Sequence, residues 1–146
     1  MNDPVLGPID QIGYVVADLD RSIARWRERH AIGPWTVFRN VRLDGHHLGE
    51  PVSVTMDVGL AYRGNLQIEL IHVTNDTSSP YRDVHGQPLV GLHHVAYLDD
   101  PDDPGVRVEF IEGAGIRDMI ARGIAESHTR DGTDPVRIID AAAASA

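Results

Sequence analysis

The sequence predicts a single α+β domain over residues 1–146: a strand–helix–strand–strand–strand unit, a second and related strand pair, and a C-terminal amphipathic helix. Three observations carry this. Apolar residues recur with period two, then at helical spacing, then with period two again three times between Ile9 and Val73. The phrase Gly91-Leu92-His93-His94-Val95-Ala96-Tyr97 repeats, in altered form, Asp10-Gln11-Ile12-Gly13-Tyr14-Val15-Val16. With Gly13 set against Ala96 and Tyr14 against Tyr97, Gln11 falls opposite His94. Finally, Ile116, Met119, Ile120 and Ile124 line one helical face near the C-terminus.

Taken in order, Pro4, Gly7 and Pro8 make the first residues an irregular arm. Ile9 to Ala17 reads as a strand through Ile12, Tyr14, Val15 and Val16. Asp18 or Asp20 caps a helix whose apolar face is Leu19, Ile23 and Trp26, and Gly33-Pro34 ends it. Trp35 to Arg42 is a second strand, with Asp44-Gly45 as the turn after it. Val52 to Val58 alternates cleanly as a third strand. In the fourth, Leu66 to Val73, residues Leu66, Ile68 and Leu70 share one face, and Gln67, Glu69 and Ile71 the other. Asn75 to Pro88 is a polar connection. In GLHHVAY, strict alternation sends His93 and His94 to opposite sides. The run Asp99 to Gly105 is too acidic and proline-rich for regular structure, and Val106 to Glu112 is a further strand. The C-terminal helix covers 114–128, Asp131 to Pro135 ends it, and the last alanines fray.

Composition narrows the function. The chain contains no cysteine, which excludes disulfides, a thiolate nucleophile and cysteine metal ligands. Its 13 basic residues are all arginine, so a Schiff-base lysine is excluded. A net charge of -9 without a basic stripe argues against nucleic acid or an anionic membrane as partner. No apolar run approaches the ~20 residues of a membrane span, and the acidic start MNDPVLGPID lacks a signal segment. The expectation is a cytoplasmic protein. No GxSxG elbow, P-loop or GxGxxG after a strand is present. Taken singly, Glu69 and Glu109 read as solvent-facing strand carboxylates, and His94 as a structural histidine.

The phrases IDQIGYVVADLDRSIARW, IGPW, LQIELI, GLHHVAY and VEFIE resemble the vicinal oxygen chelate superfamily from Ile9 to Glu112. That superfamily includes glyoxalase I, methylmalonyl-CoA epimerase, extradiol dioxygenases and bleomycin resistance proteins. The resemblance implies βαβββ modules paired around a curved sheet. The first module then spans 9–73, and the second is reduced to 91–112, without its helix and two middle strands. The resemblance also implies metal ligands at Gln11, Glu69, His94 and Glu109, a glyoxalase I type set. Such donors suit a divalent ion such as Zn, Ni, Co, Mn or Mg. A ring-cleaving dioxygenase is disfavoured, since Gln11 stands where that chemistry needs a second histidine.

The implied activity is that of a metal-dependent lyase or isomerase moving a proton beside a chelated carbonyl of a small organic substrate. Glu109 is the first candidate for the base and Glu69 the second. The alternative is a metal-free binding or resistance protein that holds an apolar ligand in the same cup. Chelator-insensitive stabilisation by a ligand separates the two. A homodimer is expected, because a sheet of one full module and two extra strands leaves edges to cover.

Overall fold

The chain-order elements are β1 Gln11–Val15, α1 Leu19–His30, β2 Trp35–His47, β3 Glu50–Arg63, β4 Leu66–Val73, β5 Gly91–Tyr97, β6 Val108–Phe110, α2 Ile116–Thr129, β7 Val136–Asp140 and α3 Ala141–Ala144. The computed structural model describes residues 7–97, 108–110, 116–130 and 132–144, with the backbone alone at 108–110, 116, 117 and 144. All seven strands form one sheet in the order β6-β5-β1-β4-β3-β2-β7.

The expected strand–helix–strand–strand–strand unit is present. β1 runs parallel to β4, and β4, β3 and β2 follow as an antiparallel meander. Asp18 caps α1 by accepting the Arg21 backbone N–H at 2.9 Å. The expected second unit is represented by β5 and β6, which are parallel neighbours as β1 and β4 are. β5 joins the two units by pairing antiparallel with β1. The expected strand 106–112 is described only at β6, and residues 114 and 115 of the expected helix lie outside the described residues.

Three local expectations are corrected. The turn between β2 and β3 is at Leu48-Gly49, not Asp44-Gly45. Both turn residues have positive φ, 53° and 87°, which suits the twist of a two-residue hairpin. Asp44-Gly45 instead continues the β2 ladder against Ser53 and Val52. Val136–Asp140 forms a strand that sequence reading missed, parallel to β2 with Trp35 opposite Val136. Ala141–Ala144 makes a helical turn rather than a frayed end.

Register and alternation assign the two faces of the sheet. One face packs on α1 around Leu19, Ile23, Trp35, Val37, Ala61, Ile68 and Leu70. Trp35 is fully buried, and its indole N–H donates to the Ile32 carbonyl at 2.9 Å. The opposite face carries a second apolar cluster of Val54, Met56, Val58, Ile71 and Val73. Gln11, Gln67, Glu69 and Tyr62 share that face, by the pairs Gln11–Gln67, Gly13–Glu69 and Tyr62–Gln67. Helix α2 lies against the same face. At Gly123 an added Cβ would stand 2.2 Å from the Tyr62 hydroxyl, so glycine is what allows the helix to come this close. The apolar stripe of α2 is thus used on its own sheet, and Ile120 is buried. No helix among the described residues is long and apolar enough to cross a membrane.

Candidate functional site

β5, β1 and β4 are adjacent, and their registers set His94, Gly13 and Glu69 in one row across the sheet. Neighbouring strands are about 4.8 Å apart, so His94 reaches Glu69 only by passing over the strand between them. Gly13 makes that possible. A Cβ there would stand 2.2 Å from His94 Cε1 and 2.5 Å from Nε2, in the space the imidazole occupies. The ring lies flat over the glycine, with its Nε2 3.3 Å from Glu69 Oε2 and 3.0 Å from Gln11 Oε1.

The orientation of Gln11 is set by a relay along the same face. Gln11 Nε2 donates to Gln67 Oε1 at 2.6 Å, and Gln67 Nε2 donates to the Tyr62 hydroxyl at 2.7 Å. Both amides are nearly fully buried, so their hydrogen bonds must be satisfied internally. Each amide nitrogen is used inside the relay, which leaves Gln11 Oε1 turned toward His94. Burial, with the nearby Glu126 charge adding to it, pushes the Tyr62 phenol above its usual range despite the Gln67 contact. The relay therefore ends on a neutral hydroxyl.

His93 corrects the alternation argument. The β1–β5 register shifts between Gly13 and Tyr14: Gly13 faces His94, while Tyr14 already faces Leu92. His93 is the extra residue of a β-bulge, and a bulge re-aims a side chain. The two imidazoles therefore meet instead of diverging, with 2.9 Å between their Nδ1 atoms. His93 Nε2 lies 2.9 Å from the Pro80 carbonyl, and the Tyr81 ring stacks on His93 at 4.9 Å. A carbonyl only accepts, so His93 Nε2 carries the proton. With both rings neutral, His93 Nδ1 is an acceptor and His94 donates to it through Nδ1–H, and in that tautomer the His94 Nε2 lone pair faces the two oxygens.

His94 Nε2 is within hydrogen-bond reach of Gln11 Oε1 and beside Glu69 Oε2, and these three atoms are also of the types that ligate divalent cations. Donors on a shell of ~2.1 Å radius stand roughly 3.0 Å apart at octahedral edges and 3.4 Å at tetrahedral ones. The separations of 3.0 and 3.3 Å fit that range. Among the described residues no group of three or more His, Cys, Asp or Glu side chains is placed to hold a metal; the third donor here is the amide of Gln11. Of the four residues expected from sequence, the structure brings together Gln11, Glu69 and His94. Glu109 stands in β6 opposite Ala96, which itself stands opposite Gln11, but its side chain lies outside the described residues.

His93, Gly13, Gln67 and Tyr62 were missed as parts of the site. A glycine inside an otherwise alternating strand is the one signal that was available, since it marks close approach of another group. Asp57 is occupied at a bulge in β2. It accepts the Asn40 backbone N–H at 2.9 Å and Arg39 Nη1 at 2.8 Å.

The same face continues past Tyr62 into a cavity of about 190 Å³ beneath α2, with Phe38, Leu60 and Met119 in its walls. Tyr62 lines this cavity and also ends the Gln11–Gln67 relay, so the two features share one side chain. A comparison with curated proteins finds no match. The family model described as Glyoxalase/Bleomycin resistance protein/Dioxygenase superfamily matches residues 10–134, which take in both strand pairs and all four expected ligand positions, and the chain belongs to that superfamily.

Proposed function

We propose that this chain is a divalent-metal-dependent lyase or isomerase that moves a proton next to a carbonyl of a small organic substrate. The observation that carries the reading is the convergence of Gln11 Oε1, Glu69 Oε2 and His94 Nε2, with the His94 tautomer set by His93. Gln11, Glu69 and His94 would hold the ion, with Glu109 as the fourth ligand. One nitrogen and three oxygens suit Zn, Ni, Co or Mn, and Mg at the hard end. When bound, such an ion supplies Lewis-acid polarisation of a carbonyl oxygen. Glu109 takes the proton from the adjacent carbon, and Glu69 is the second candidate. The Tyr62–Gln67–Gln11 relay holds the amide ligand still, and α2 packs against Tyr62 at its far end.

Elemental analysis of protein purified without chelator tests this. About one equivalent of a divalent metal is expected, removable by chelation and restored on addition. Less than about a tenth of an equivalent, with no rebinding, would exclude the reading. The cavity beneath α2 supports a second reading, in which a metal-free binding or resistance protein holds an apolar ligand there. That reading requires stabilisation by ligand that EDTA leaves unchanged.

We also propose a homodimer that uses the β6 side of the sheet. β6 is the outermost strand on that side, and Val90 and Leu92 beside β5 are 61% and 64% exposed. A sheet edge that no described strand covers, next to apolar side chains, invites a partner. Sedimentation at micromolar concentration should give twice the chain mass of 16.0 kDa. A monomer would refute the dimer without touching the metal site.

A further inference from the structure

We infer that the cavity beneath α2 binds the carboxylate of an amphipathic monoanion, with Arg122 as its counter-charge and the apolar walls holding its hydrocarbon body. This rests on the cavity being the substrate side of the proposed metal site, and it adds the substrate's chemical class.

Three arginines line the cavity: Arg122, Arg130 and Arg137. Two of them are neutralised locally. Arg137 pairs with Glu126 and Asp134, each at 3.2 Å. Arg130 pairs with Asp134 at 3.4 Å and also donates to the Trp35 carbonyl. Arg122 has no ion pair or hydrogen bond among the described residues. Among the described lining residues and their ion-pair partners, three guanidiniums stand against the two carboxylates Glu126 and Asp134, an excess of one positive charge. In a chain of net charge -9, a local positive excess at the rim of an apolar cavity runs against the overall field. It favours a ligand with one negative charge. A phosphate monoester carries nearly two, so a carboxylate fits better.

Size sets the rest of the ligand. A dry cavity of ~150 Å³ accommodates benzene. The present volume of about 190 Å³ therefore admits one aromatic ring or an aliphatic body of about six to ten carbons. Phe38, Leu60, Met119 and Ile139 provide the apolar contact. Tyr62 lies between this cavity and Gln67, and through Gln67 its hydroxyl is linked to Gln11.

Phenylbutyrate is a suitable probe, because it carries the ring and the carboxylate but no second oxygen function with which to chelate. Calorimetry on both metal-loaded and chelator-stripped protein should show phenylbutyrate binding at least about tenfold more tightly than neutral phenylbutanol. Arg122→Gln, on an exposed helix position, should remove most of that preference and leave phenylbutanol binding unchanged. If stripped protein keeps an Arg122-dependent preference yet rebinds no metal, the inference stands and the metal reading falls. The inference is overturned if acid and alcohol bind equally, or if the preference survives Arg122→Gln. It is overturned equally if the preference vanishes in His94→Ala but not in Arg122→Gln, since the carboxylate would then sit on the metal ligands.

Discussion

Gly13→Ala should lower divalent-metal affinity by about a hundredfold or more while the chain stays folded, an effect at the top of the range for disturbing a metal site. The added methyl would stand 2.2 Å from His94 Cε1 and 2.7 Å from Nδ1, so the imidazole must leave the row it shares with Glu69. Gly13 is not among the glycines of positive φ, so its backbone accepts alanine and the cost falls on the ring. His94→Ala should fall equally far, and the double variant no further, since both changes remove one ligand. His93→Ala should lose less, about ten- to a hundredfold, as an acceptor behind a ligand does. Competition against a chromophoric chelator, together with thermal unfolding, measures both quantities. A Gly13→Ala protein with unaltered affinity would show that the His94 ring is not a ligand. Equal losses in His93→Ala and His94→Ala would show that His93 itself binds.

These expectations depend on a bulge that periodicity does not reveal. Alternation read from sequence set Gln67 and Glu69 on one face of β4, and the structure agrees, because β4 is paired without interruption to β1 and β3. Alternation failed in β5, where two consecutive histidines read as facing opposite ways. The extra residue is visible only in the pairing with β1, and a pattern of period two has no memory of its partner. The matched positions of Gln11 and His94 were legible because each stands three residues before a tyrosine at the end of a short apolar phrase. Val136–Asp140 was not: five residues with exposed positions at Arg137, Ile138, Ile139 and Asp140 show no buried face. That strand exists because β2 offers it an edge. The length of β2 was under-read for a related reason. Beyond Val41 it pairs only with β3 among the described residues, and Arg42 to His46 are exposed, so no buried stripe marks its continuation.

Replacement of Glu109 by Gln should reduce proton transfer by about 10²–10⁴-fold, the usual contribution of a positioned general base, while most metal is retained. Glu69→Gln should do the reverse and chiefly lose metal. The difference follows from where the two residues stand. Glu69 lies in β4, an eight-residue strand with a partner on each side, and its carboxylate is held against His94. Glu109 lies in β6, which among the described residues pairs only with β5 at the end of the sheet. A carboxylate held on a cation is a poor base, so the carboxylate that would serve as base is the one whose strand has fewer neighbours among the described strands. 3-Benzoylpropionate combines the inferred carboxylate and ring with a carbonyl that stands apart from the carboxylate and is flanked by an acidic methylene. NMR of that methylene in deuterated buffer reports proton transfer directly, without requiring net turnover. The expected order of exchange rates is wild type far above Glu109→Gln, with metal content measured on the same samples. Glu109→Gln exchanging at the wild-type rate would pass the role to Glu69. Metal loss in Glu109→Gln as deep as in Glu69→Gln would make both carboxylates fixed ligands and leave the base to be sought elsewhere on the face that α2 covers.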